Sequence, residues 1–253
     1  MTEEPEMEEV TIGVTWRHLV VTALATGVSA ILAIYAVIAA PVAPFPGVSG
    51  LYLAAAIYVP LSLWLGVWGC LVGYFSQLIL ALVTTPFGAW GLLWSFADFI
   101  EGLIPLLAFR LFKADVDIGK DLENPQALYI ILGVLVVNLI VNAFATALVI
   151  TALWIITFIL AIGLLALMYY FNRSKSLLLF IIFGIFGASI GSALIGVWIP
   201  ILGGFAPAEG FWVGVIGWFS GDVIVLSAIA TPMMITLTGR VKETSVFVEK
   251  WIA

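Results

Sequence analysis

The chain has 253 residues, of which 64% are hydrophobic and only 9% carry a charge. Soluble globular domains carry about a quarter charged residues, so this composition excludes an ordinary soluble protein and indicates an integral membrane protein. The formal net charge is -6, but much of it comes from glutamates in residues 1–14, a tail that is predicted to be disordered and solvated. No basic stripe occurs, so the chain lacks the electrostatic footprint of a nucleic-acid-binding protein.

The first half of the chain is predicted to cross the membrane four times. Windows of about 20 apolar residues place these spans at 15–40, 48–65, 66–84 and 88–112, which together form a first transmembrane half, residues 15–112. Prolines and a glycine in 41–47 end the first helix and begin a loop. The acidic flank and the length of the first apolar stretch argue against a signal peptide, so we expect it to remain as a helix.

A polar segment, 113–126, is predicted to be a cytoplasmic linker to a second transmembrane half, 127–239. The apolar stretch 127–171 is too long for one helix and is predicted to form two, joined by a turn near Thr151. Further spans at 176–202 and 211–238 bring the total to about eight. Residues 240–253 are predicted to be a short cytoplasmic tail.

The positions of the basic residues predict the orientation. With both termini inside, every Lys and Arg falls on the cytoplasmic side of an eight-span arrangement, as the positive-inside rule requires. The sequence therefore predicts an all-α, polytopic membrane helix bundle with about eight transmembrane helices in the lipid bilayer. We expect a multi-pass protein of the cell membrane with its N- and C-termini inside.

A repeated pattern relates the two halves. Glycines recur at a constant offset, and each set is followed by a Trp-x-x-x-Asp motif: Gly66, Gly69, Gly73, Trp94 and Asp98 in the first half, and Gly184, Gly187, Gly191, Trp218 and Asp222 in the second. An even number of spans separates the copies, which predicts two parallel four-helix repeats. Small residues at these spacings also let helices approach closely without any functional site. Either interpretation places the third and seventh spans inside the bundle.

Acidic residues inside the spans are the strongest functional signal. Asp98 and Asp222 lie about ten residues, or about 15 Å, from the outer ends of their helices. A charge at the bilayer centre costs about 2.5–3.5 kcal/mol on insertion scales, so such residues usually line a cavity or pathway. Glu101 shares a helix face with Asp98, and two such close carboxyl groups would not both ionise readily in a low dielectric. They could relay protons, accept hydrogen bonds from a ligand or balance a cationic one, or serve packing alone.

Aromatic and amide side chains complete the set of candidates. Trp94 and Trp218 lie one turn above the aspartates, where they could stack on a flat ligand or pack as an aromatic core. Asn138 and Asn142 form a weaker polar stripe that could cross-link helices. Pro105 and Pro232 either kink their helices or open a cavity by freeing backbone carbonyls. The candidate ligand-binding residues are thus Asp98, Asp222, Trp94, Trp218, Glu101, Asn138, Asn142 and Ser220.

Motifs of catalysis are missing from the sequence. There is no nucleophile–base pair, metal-ligand spacing, phosphate-binding loop or flavin motif, so we predict neither an enzyme nor a metal or other cofactor. Cys70, the single cysteine, is interpreted as a small apolar filler. His18 lies beside Arg17 at the start of a helix, which favours an interfacial role over a catalytic one.

Short motifs resemble one family of membrane sensors. Residues 46–56, the helix 66–76, the end of the fourth span and above all Trp218, Asp222 and Pro232 resemble the eight-helix membrane-associated sensor domain of bacterial histidine kinases and diguanylate cyclases. The last helix of that domain is rich in Trp, contains Gly-Asp and runs to a proline. Members usually feed a signalling output domain, whereas about a dozen residues follow the eighth span here. The resemblance therefore implies signalling through a partner protein.

The first half is also similar to the substrate-binding S components of energy-coupling-factor vitamin transporters. The similarity lies in a first helix with small residues (Ala25, Ser29, Ala33), a Gly-rich third helix and an acidic fourth. It implies a small-molecule ligand bound within the bundle from outside, and a separate transmembrane coupling subunit with ATPases. S components usually have six spans, whereas eight are predicted here.

The leading hypothesis is an S-component-like binding subunit for the uptake of a small, flat or polar solute. Its pocket would be lined by Asp98, Asp222, Trp94 and Trp218. The alternatives are a sensor that reports ligand occupancy or membrane state, a proton-coupled carrier that uses Asp98, Glu101 and Asp222 as relays, and a purely structural membrane protein.

Overall fold

The computed structural model describes residues 15–39 and 48–251. The acidic tail 1–14 and the proline loop 41–47 of the sequence analysis lie outside these residues. Within them the chain forms a helical bundle, as predicted, together with one two-stranded β-hairpin. The helices are α1 (Trp16–Tyr35), α2 (Ala55–Leu65), α3 (Val67–Thr84), α4 (Trp90–Leu111), α5 (Pro125–Ala147), α6 (Thr151–Asn172), α7 (Lys175–Leu202) and α8 (Ala208–Lys242).

Seven of these eight helices are long and apolar enough to cross a membrane, and α2 is the exception. Its 11 residues reach only about 16 Å, half of a bilayer's hydrocarbon core. The residues before it form strand β2 (Ser49–Tyr52), which pairs antiparallel with β1 (Val37–Ala39). The predicted span 48–65 is therefore a strand followed by a half-length helix. A hydropathy window does not distinguish a membrane-spanning helix from a short helix buried inside the protein, because both are equally apolar.

The two last long helices are not regular throughout. Helix α7 widens into π-helical turns at Phe180–Gly187, and α8 does so at Leu226–Ala230. The turn in α8 directly precedes Thr231 and Pro232, and the Thr231 hydroxyl donates to the Leu226 carbonyl at 3.0 Å. Proline has no N–H group and disrupts the regular hydrogen-bond ladder, which gives the physical reason for an irregular turn here. Such turns often occur at functional sites.

Basic residues from distant parts of the chain meet at one end of the bundle. The start of α1, the end of α4, the start of α7 and the segment after α8 are joined there by hydrogen bonds. These run from Arg110 Nε to the Lys250 carbonyl (2.7 Å), from Arg110 Nη2 to the Val248 carbonyl (2.6 Å), from Arg17 Nη1 to Ser245 Oγ (2.5 Å) and from Lys175 Nζ to the Phe112 carbonyl (3.1 Å). We call this the basic end of the bundle.

The junction between α2 and α3 also lies at the basic end. Gly66 joins the two helices with a φ of 64°, a conformation that glycine adopts without steric cost. The segment after α8 crosses this junction, because the Val248 N–H donates to the Trp64 carbonyl at 2.8 Å and the Val67 N–H donates to the Trp251 carbonyl at 3.0 Å. The segment after α8 is thus hydrogen-bonded to both α2 and α3.

Asp115 of the linker connects to α8 at this end through Lys242, at 2.8 Å, and also pairs with Lys120 at 3.4 Å. Partial burial opposes its ionisation, but hydrogen bonds from Lys242 and from the Asp117 N–H outweigh burial and hold the pKa of Asp115 below its ordinary value. A lowered folded pKa stabilises the protein above the unfolded pKa, and that contribution is lost as the pH falls through the folded pKa.

We therefore expect Asp115→Asn to lower the free energy of unfolding by about 0.5 kcal/mol at neutral pH, and to have no effect in strong acid. Thermal unfolding in detergent at the two pH values measures the difference, with the exposed Asp121→Asn as the control. A loss of equal size at both pH values would contradict an ionic contribution.

Candidate functional site

Three carboxyl groups from α4 and α8 meet in the interior of the bundle. Asp98, Glu101 and Asp222 are 0%, 0% and 1% exposed. Asp98 and Glu101 lie one turn apart on the same face of α4, and Asp222 of α8 is their neighbour in the interior. The structure thus brings together all three acids that the sequence analysis singled out. We call them the acid cluster.

Hydroxyl groups from three other elements surround the acid cluster. The Tyr52 hydroxyl of β2 is hydrogen-bonded to Asp98 Oδ2 at 2.9 Å, and Tyr58 of α2 donates to Glu101 Oε2 at 2.5 Å. Ser192 of α7 donates to Asp222 Oδ2 at 3.3 Å. These three residues were missed by the sequence analysis, because nothing local in the sequence distinguishes a tyrosine that bonds a distant acid from one that lies at the interface. The half-length α2 and the hairpin are what place both tyrosines there.

Glycines allow the surrounding backbones to come this close. A Cβ atom on Gly73 of α3 would lie 2.8 Å from the Asp98 carbonyl oxygen, closer than real Cβ contacts. On α8, a Cβ atom on Gly221 would lie 2.9 Å from the Gly50 carbonyl oxygen of β2. The strand therefore lies directly on α8 beside Asp222, and α3 lies directly on α4 beside Asp98. Larger residues at these two glycines would push the hydroxyl groups away from the acids.

A cavity of about 200 Å³ adjoins the acid cluster. Two of its lining residues, Tyr52 and Gln77, are bonded to each other at 2.9 Å, and Tyr52 is bonded to Asp98. The cavity is therefore one hydrogen bond away from the acids, although no acid lines it. The lining residues are Ala33, Val37, Val48, Ser49, Tyr52, Gln77, Leu80, Thr84, Thr85, Trp94 and Trp218.

Trp94 and Trp218 form an aromatic wall of the cavity. Their rings meet edge to face, with centroids 6.0 Å apart and planes at 85°, a favourable arrangement for an aromatic pair. The Trp94 indole N–H donates to the Gly196 carbonyl at 2.8 Å, which fixes its ring against α7. The two alternatives of the sequence analysis are thus not exclusive, since both rings pack on each other and both border the cavity.

The other polar candidates lie elsewhere. Asn138 and Asn142 of α5 donate to the carbonyl and the hydroxyl of Thr157 in α6, at 2.9 and 2.7 Å, so they cross-link two neighbouring helices. Ser220 donates to the Ile216 carbonyl of its own helix at 2.6 Å. None of the three lines the cavity, and none is bonded to a residue of the acid cluster. Their bonds are those of helix packing.

The described residues contain no group of three or more His, Cys, Asp or Glu side chains with the geometry of a metal site. Cys70 is buried and donates weakly to the Gly66 carbonyl at 3.8 Å. His18 is buried between α1 and α3, where its ring stacks on Trp68 with centroids 6.2 Å apart. Neither residue bonds the acid cluster.

Comparison of the chain with protein-family models, with curated proteins and with solved structures found no match.

Proposed function

We propose that this chain is a membrane-embedded binding subunit for the uptake of a small, flat or polar solute, similar in its role to an S component. The observation that carries the proposal is the cavity, because it combines an aromatic wall, Trp94 and Trp218, with polar groups that connect to the acid cluster. Ligand sites in proteins are typically concave and mostly apolar, with a few placed polar groups. The pair Tyr52 and Gln77 supplies those groups here.

The position of the cavity supports binding from outside. Helix α3 starts at the basic end, where Val67 bonds the Trp251 carbonyl, and it ends at Thr84, which lines the cavity. The cavity is therefore displaced towards the opposite end of the bundle. If the basic end is cytoplasmic, as the positive-inside rule favours, the cavity lies on the outer side of the membrane and both termini lie inside.

An arrangement of two parallel repeats belongs to the same proposal. It is supported by the meeting of Asp98 and Asp222, which occupy matching positions of α4 and α8 and come together at the centre. The matching glycines also lie at helix contacts, since added Cβ atoms on Gly73 and Gly191 would meet α4, at the Asp98 carbonyl and at Ile104. The half-length α2 departs from a strict four-helix repeat.

Native mass spectrometry of detergent-purified protein tests the proposal, with Gln77→Leu as the variant. Gln77 is buried and lines the cavity. Replacing its amide by an apolar group of similar size therefore removes a polar group that could bind the solute. We expect a small molecule to remain bound to the wild type and to be lost from Gln77→Leu. Gln126→Leu is the matched control, because it makes the same chemical change at an exposed site in the first turn of α5.

The outcome separates the alternatives. A retained molecule whose mass depends on Gln77 identifies the solute class, and uptake into vesicles that requires an added ATPase partner supports the binding subunit over a sensor. Uptake by the chain alone, driven by a pH gradient, would support a proton-coupled carrier instead. Preparations that carry no molecule in either form, with equal stability, would overturn the proposal for a tightly bound solute and favour a sensor.

A further inference from the structure

Among the described residues the acid cluster has no basic partner. In the described part of the chain the ion pairs are those of Asp115 with Lys120 and Lys242 at the basic end. Carboxylates buried without compensation are costly, at about 2.5–3.5 kcal/mol for one at the bilayer centre on insertion scales, and neighbouring carboxylates also repel each other. The charge of the cluster must therefore be neutralised by something bound to it. A bound proton neutralises a carboxyl group without any further ligand.

The hydrogen bonds of Tyr52 point the same way. Its hydroxyl oxygen lies 2.9 Å from Gln77 Oε1 and 2.9 Å from Asp98 Oδ2. One hydroxyl group has one hydrogen, so it can donate to only one of these two acceptors. The other contact needs a hydrogen from its partner, which either a protonated Asp98 or the amide NH₂ group of Gln77 supplies. The Ser192 hydroxyl is in the same position, with the Ser189 carbonyl at 3.2 Å and Asp222 Oδ2 at 3.3 Å.

Unpartnered oxygens give a second, separate observation. Asp98 Oδ1 and Glu101 Oε1 are buried and have no hydrogen-bond partner, although both residues are 0% exposed. An ionised carboxylate has about four acceptor positions to satisfy, so a buried oxygen without a partner costs it more than it costs a neutral carboxylic acid.

We propose that Asp98, Glu101 and Asp222 form a proton-binding site that holds protons at neutral pH, and that Tyr52 and Gln77 link its occupancy to the cavity. The titratable and polar groups that face the site come from every element packed around it. They are Tyr52 of β2, Tyr58 of α2, Gln77 of α3, Ser192 of α7, and Cys70 of α3, which packs against Gly102.

The link has two states. When Asp98 carries its proton, it donates to the Tyr52 oxygen and Tyr52 donates to Gln77 Oε1. When Asp98 gives its proton to water, Tyr52 donates to Asp98 Oδ2 and leaves Gln77 Oε1 open to the cavity. A solute that donates a hydrogen bond to Gln77 therefore favours proton release, and by linkage a loss of the proton favours the solute. The proton site stands on the acid cluster alone, whereas its effect on a solute rests on the proposed function.

Infrared spectroscopy of the purified protein without added solute tests the site. Exposed Asp and Glu side chains are ionised at neutral pH, so a carboxylic-acid C=O band in the wild type must come from buried, protonated acids. We expect this band at neutral pH and its decrease in alkali. We also expect a separate component to be lost in each of Asp98→Asn, Glu101→Gln and Asp222→Asn. Tyr52→Phe should shift the Asp98 component, and Tyr58→Phe, the matched control, should shift the Glu101 component instead.

A wild type without a carboxylic-acid band at neutral pH would overturn the site, and this result needs no variant to fold. A band that loses no component in any of the three acid variants would overturn it as well. An Asp98 component that Tyr52→Phe leaves in place would overturn the link to the cavity. Since no solute enters the measurement, an empty cavity in native mass spectrometry and an absent proton site are distinguishable failures.

Discussion

Gly69→Val is expected to abolish the folded state or to lower the free energy of unfolding by at least ~3 kcal/mol, more than ordinary overpacking costs. Helix α3 contacts α2 at this glycine so closely that a Cβ atom would overlap the backbone atoms of Leu61 and Ser62. Backbone cannot rotate away as a flexible side chain can. Separating the helices would also move Tyr58 of α2 away from Glu101. The yield of monodisperse protein and its thermal unfolding in detergent measure the effect.

Gly163→Ala is the matched control. Gly163 also lies within a long helix, α6, but beyond its chain neighbours and the backbone of its own helix no heavy atom lies within 4 Å of the position that its Cβ would take. Alanine there has open space and a better helix propensity by about 1 kcal/mol, so we expect unchanged or slightly raised stability. Equal behaviour of the two variants would contradict close α2–α3 packing.

Trp94→Ala is expected to lower the free energy of unfolding by about 3–5 kcal/mol, the usual range for a large buried aromatic residue, and to abolish solute retention. Trp94 is 1% exposed, bonds the Gly196 carbonyl through its indole N–H, and packs edge to face on Phe87 and Trp218. Removing the Trp94 side chain enlarges the cavity. It also removes the hydrogen bond that holds the aromatic wall against α7. Thermal unfolding and native mass spectrometry on the same preparations measure both effects.

Trp90→Ala separates these effects from a general loss of tryptophan. Trp90 begins the same helix and is 37% exposed, so its truncation should cost less than half as much as that of Trp94. Trp94→Phe is a second test, because it keeps most of the ring but removes the hydrogen bond to Gly196. If Trp94→Phe retains the solute and Trp94→Ala does not, the ring rather than the bond shapes the cavity. A solute retained by Trp94→Ala would remove this tryptophan from the binding site.

Hydropathy correctly predicted the long helices, but it wrongly predicted a full-length span at 48–65. The long spans, including the division of 127–171 at a turn just before Thr151, follow from the length of chain that a bilayer needs. The segment 48–65 met the same criterion, yet it forms β2 and the half-length α2. Residues such as Val59 and Leu63 are apolar and buried whether protein or lipid surrounds them, so composition alone does not distinguish a helix inside the protein from one that spans the membrane.

The candidate site divides in a similar way. The sequence by itself determined that Asp98, Glu101 and Asp222 lie inside apolar helices, because a buried acid stands out against a composition that is otherwise almost uncharged. Only the tertiary structure decided which groups meet them. Tyr52 reaches Asp98 from 46 residues away, and the approach depends on a hairpin, a short helix and glycines at the helix contacts. Such contacts are set by how whole elements pack, and no local pattern in the chain encodes them.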